Sequence, residues 1–109
     1  MTDIQILATT EHDYPFGTLM DDQNQAWLRL TSSGYSRLQI QRAIVRELEN
    51  MDVQAWNQFQ AAIVLYNTGH YSREAVTQAQ DKTYRIRDRH NHCARELKRQ
   101  EAKQLAATF

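Results

Sequence analysis

The chain has 109 residues, 41% of them hydrophobic, and its 13 basic side chains are balanced by 13 acidic ones for a formal net charge of zero. That size suits one domain with a modest core, and a pI of 6.9 speaks against a strongly basic nucleic-acid binder. Cys93 is the only cysteine, which excludes an internal disulfide and fits a reducing compartment.

No apolar run approaches the roughly 18 residues of a membrane span, and Met1-Thr2-Asp3-Ile4 lacks the basic start of a signal peptide. A cytoplasmic protein without membrane contact is expected. The zero net charge hides a split. Residues 1–81 carry five basic and ten acidic side chains, whereas residues 82–109 carry eight basic and three acidic ones. Such asymmetry marks either an interaction surface or attraction between the two parts.

Only three glycines and one proline punctuate the sequence, which favours helices over the frequent turns of a small β domain. Residues 1–20 read as an irregular N-terminal arm. Ile4-Gln5-Ile6 could form a short strand or extended segment, and Tyr14-Pro15-Phe16-Gly17 has the form of a turn. Residues 21–71 read as a helical core. The first helix is expected over about Asp22–Thr31, with Asp22 and Gln25 spaced as a capping box and Ala26, Trp27 and Leu30 facing inward. Gly34 ends that segment.

A second helix is expected from Ser36 to Met51, capped by Ser36 and Gln39, with Ile40, Ala43, Ile44, Leu48 and Met51 on one side. A third should run from Asp52 or Val53 to Asn67. It carries Val53, Trp56, Phe59, Ala61, Ala62, Ile63, Val64, Leu65 and Tyr66, and its second half is apolar nearly all round, the mark of a central buried helix. Gly69 supplies the stop and Ser72 a cap for a long C-terminal helix over residues 72–109. At about 1.5 Å per residue that helix would outrun its own domain, and so must project, break or find a partner. Tyr35-Ser36-Arg37 recurs as Tyr71-Ser72-Arg73. Tyr66, Gly69, Tyr71 and Ala75 have a faintly tetratricopeptide-like rhythm, but the recurrence is read as two similar helix starts, because a solenoid needs about three copies. The fold class is all-α: three core helices plus a long amphipathic C-terminal helix.

On the last helix, Ala79, Ile86, Cys93 and Leu97 form a seam at spacings that suit another helix, a candidate surface for a homodimer. Arg85, Arg89, His92, Arg95, Arg99 and Lys103 form a basic stripe on another side, suited to an acidic partner surface or a phosphate backbone. The stripe has no interleaved aromatics for stacking on bases. His90 and Cys93 share a face, but a closed zinc site needs four ligands and no paired motif supplies the others. Leu30 to Ile44 loosely has the form of the entry to a helix-turn-helix, although its helix is too long and the following one too apolar to read a groove. No phosphate loop or nucleophile elbow is present.

These features predict no catalytic residues, no metal and no cofactor. They predict a non-enzymatic interaction module, adaptor or small inhibitor that binds a protein partner, as a homodimer or within a larger complex. The alternative is a nucleic-acid-binding or regulatory protein using the basic stripe. Compact helical proteins of phage or mobile-element type have this general character, a likeness of size and class rather than of residues.

Overall fold

The computed structural model describes residues 1–10 and 19–108. Among these, 87% are helical and none lies in a strand. Four helices follow in order: α1 (Asp3–Ala8), α2 (Leu19–Ser32), α3 (Arg37–Asn67) and α4 (Arg73–Thr108). The expected turn at Tyr14–Gly17 lies outside the described residues.

Ile4-Gln5-Ile6 is helical, not a strand or extended arm. A capping box starts α1. The Gln5 N–H donates to the Thr2 hydroxyl at 3.2 Å, and the Thr2 N–H donates to Gln5 Oε1 at 2.9 Å. Two N–H groups that a helix start leaves without partners are thereby satisfied. At the other end, Gln23 on α2 reaches the Ile6 and Thr9 carbonyls at 3.4 and 3.2 Å, covering acceptors that α1 cannot pair itself. The helix α2 begins at Leu19, a turn before the expected cap, so Asp21 and Asp22 fall in its first turn. Negative charge there favours the helix dipole.

Two expected helices are one. Met51-Asp52-Val53 contains no glycine or proline, and Asp52 does not turn back to cap the backbone. Its carboxylate accepts from Arg87 on α4 at 2.9 Å, so α3 runs unbroken for 31 residues. The helix α4 is likewise continuous over 36 residues, with no break at 88–92.

Both connections follow one chemical plan. Gly34 and Gly69 have φ of +93° and +82°, the left-handed region glycine reaches without strain. The Gly34 N–H donates to Thr31 O and the Tyr35 N–H to Leu30 O; the Gly69 N–H donates to Tyr66 O and the His70 N–H to Leu65 O. This is the Schellman pattern. Serine then caps the next helix, Ser36 with Gln39 as reciprocal partner and Ser72 through the Ala75 N–H. The recurrence of Tyr-Ser-Arg is therefore a pair of similar helix starts.

The chain divides into two compact units, Met1–Glu47 with His92–Phe109, and Leu48–Asn91. In the first, Leu7, Ala26 and Ile40 are buried, and Ile4, Ile6, Trp27, Leu30 and Ile44 pack on them. Arg29 grips Asp3 through Nη2 at 2.7 Å and Nε at 3.0 Å. Within the second unit, the end of α3 and the start of α4 lie antiparallel. Glu49 meets His90, Asp52 meets Arg87, and the Ala55 carbonyl accepts from the Thr83 hydroxyl at 3.3 Å. A hydroxyl-to-carbonyl bond between helices needs close backbones, which alanine at position 55 permits. Leu48, Ala55, Ala62, Thr83 and Ile86 are the buried residues of this unit.

Candidate functional site

The expectation that residues 53–67 form a central buried helix is overturned. Of that stretch only Ala55 and Ala62 are buried, while Val53 and Val64 are each 60% exposed and Trp56 41%. Apolar residues all round a helix need cover on every side. In its own unit this stretch meets one helical neighbour, α4, which covers one side only.

No Asp, Glu, Lys or Arg occurs between Val53 and Gly69. The exposed side therefore combines valines, an aromatic and neutral amides, among them Asn57 and Gln60. Ordinary solvated helix faces carry charge. A charge-depleted face with an exposed aromatic has the composition of an interface core. The signal was in the sequence as a gap in the charge distribution, which hydrophobic periodicity does not register.

The border of this face is built with care for charge. Arg87 stands over the Trp56 ring, its Cζ 4.8 Å from the centroid, while its Nε donates to Asp52. The guanidinium is thus neutralised by the carboxylate and stacked on the indole. Phe59 supports Trp56 from within the helix, with ring centroids 5.9 Å apart and planes tilted by 51°. Three tyrosines of the same unit are also exposed: Tyr66 near the end of α3, Tyr71 at the turn and Tyr84 on α4, whose hydroxyl accepts from Gln80.

The basic stripe is not uniformly solvent-facing. Arg85 and Arg89 are half-buried, and their Nε nitrogens are out of contact with solvent. Arg89 lies three residues from the buried Ile86, hence toward the same side of α4. His92, Arg95, Arg99 and Lys103 are exposed. Arg99 is paired with Glu96 at 2.6 Å.

Of the seam, Ile86 faces the chain itself. Ile86 is only 3% exposed, and Ala79, Cys93 and Leu97 are half-buried. Ile86 is thus part of the unit's own core, and the expectation that it meets a second copy is corrected. The reason is the antiparallel pairing on α3, which places the apolar side of α4 inward. His90 Nε2 stands 3.6 Å from Glu49 Oε1, within ion-pair range but beyond a hydrogen bond.

In the first unit, Ile4, Leu30, Tyr35, Gln39, Ile40 and Ala43 line an apolar cleft of about 320 Å³, at the lower end of ligand-site sizes. Its Gln39 side chain already holds the Ser36 N–H. No group of three or more His, Cys, Asp or Glu placed to hold a metal occurs among the described residues.

No protein-family model, curated protein or solved structure matches this chain. No helix of the described residues is long and apolar enough to cross a membrane.

Proposed function

We propose that this chain is a non-enzymatic helical interaction module, an adaptor or small inhibitor that works by binding a protein partner. The observation that carries the reading is the uncharged, outward-facing side of α3 from Val53 to Val64, with Trp56 at its edge. Leaving apolar surface in water is unfavourable by about 25 cal/mol per Å², and this side offers no charge to hold it in solvent. A partner would remove that surface from water at little desolvation cost, since its polar groups are neutral amides rather than ions.

The test is capture of partners from a native lysate by the wild-type chain and by Val64→Glu. The reading expects a discrete protein retained by the wild type and lost with the glutamate, while circular dichroism of the two stays alike. Retention of the same proteins by both would remove the α3 surface from the function.

A second reading, binding of nucleic acid, is favoured by the exposure of Arg95, Lys98 and Lys103 along the last part of α4. It is the weaker of the two because Arg99 is already paired with Glu96, and Arg85 and Arg89 are half-buried.

A further inference from the structure

Four exposed residues on the outer side of α3 are spaced as a palindrome: Val53, then Asn57 four residues on, Gln60 three on, and Val64 four on. In helical register they form one stripe, since steps of three and four return to the same side. Read in either direction, the stripe runs apolar, amide, amide, apolar. On these grounds we propose that the uncharged side of α3 is a two-fold interface with a second copy of this chain. The inference rests on the interaction-module reading and names its partner.

Three observations point to a copy rather than another occupant. An antiparallel pair of α3 stripes about a two-fold axis sets Val53 level with the other copy's Val64, and Asn57 level with its Gln60. Next, an isologous interface brings a patch against itself, so any net charge on it would repel. This side has none, and primary amides both donate and accept, which lets them pair with amides of a copy. Finally, the whole chain has zero formal charge, so two copies approach without net repulsion.

Other occupants fit less well. A lipid surface would take the valines but leave Asn57 and Gln60 unpaired in hydrocarbon, and no Lys or Arg lies between Val53 and Gly69 to meet anionic headgroups. A strongly charged peptide would find no counter-charge there.

The experiment uses the full chain at tens of micromolar. Sedimentation equilibrium should give twice the 12.8 kDa of one chain. Val64→Glu and, separately, Gln60→Lys should each weaken association by roughly tenfold or more with unchanged helical circular dichroism, whereas Gln104→Glu on the exposed end of α4 should not. Register is read by disulfide trapping in a Cys93→Ser background. A mixture of Val53→Cys and Val64→Cys chains should cross-link as mixed pairs faster than either chain with itself. A wild type that stays monomeric overturns the proposal, and so does a dimer indifferent to both variants or one trapping mainly like with like. A monomer whose capture of a different protein is still abolished by Val64→Glu would overturn the dimer while leaving the interaction reading intact.

Discussion

Trp56 shows how far a large aromatic can stand outside a core and still be held. Phe59 supports it from one side and Arg87 covers it from another, so its ring is oriented without being enclosed. Trp56→Ala should therefore lower stability by only about 1–2 kcal/mol. Ile86→Ala, at a position 3% exposed, should lower it by about 2–5 kcal/mol. Chemical denaturation of both variants, at a concentration where the wild type is monomeric, checks the ordering; an equal loss would mean that the indole is a core residue after all. Asp3 is the second informative residue. The hydrogen bond from Arg29 holds its carboxyl below the ordinary value of 3.8. A depressed carboxyl stabilises the fold above its unfolded pKa, and that contribution disappears as the pH falls through the lower folded value. Melting temperatures measured from about pH 5 to about pH 2 should fall less steeply for Asp3→Asn than for the wild type; parallel curves would mean the Asp3–Arg29 pair has no share in stability.

At the scale of elements, the helix ends carry the topology. Nothing lies within 4 Å of where a Cβ would sit on Gly69, so substitution there meets no clash, yet φ is +82°. Gly69→Ala should then be destabilising by about 1–2 kcal/mol through backbone strain alone, and Ser36→Ala by about 1 kcal/mol through the lost cap. Thermal melts of the two variants measure this, and a stabilised Gly69→Ala would show that the turn has another backbone option. These ends were legible because Ser36 with Gln39, and Gly69 before Ser72, are local codes read by the backbone next to them. The same code at Thr2 and Gln5 was present but lay in a stretch whose Ile-Gln-Ile alternation also suits a strand. The fusion of residues 36–51 and 52–67 was not legible, because Asp52 looks like a cap until Arg87, 35 residues away, is known to take its carboxylate. Nor was the exposure of Val53, Trp56 and Val64. Periodicity tells which residues are apolar, not how many neighbours arrive to cover them.

For the molecule as a whole, the charge split separates two kinds of surface. The exposed cations Arg95, Lys98, Arg99 and Lys103 near the end of α4 lie in the unit formed by Met1–Glu47 and His92–Phe109, whereas the uncharged side of α3 lies in Leu48–Asn91. If binding depends on the second surface, it should persist as salt rises. Affinity for DNA through the first should fall with a slope of about −0.9 per phosphate neutralised. A salt titration of partner capture and of DNA binding, read side by side, distinguishes them, and micromolar DNA affinity at physiological salt would reverse the ranking of the two readings.

The turn at Gly69 also has a kinetic meaning. It joins two helical segments whose cross-contacts span short stretches of chain: Thr83 reaches Ala55 over 28 residues and Arg87 reaches Asp52 over 35. In the other unit, the pairing of Arg42 with Glu101 closes a much longer loop. Closing a longer loop sacrifices more chain entropy before any contact rewards it. The hairpin of residues 48–91 is accordingly expected to zip outward from Gly69 first, with the ends of α3 and α4 joining α1 and α2 afterwards. Strain introduced at that one glycine would then slow folding, whereas loosening Asp3 from Arg29 would chiefly hasten unfolding.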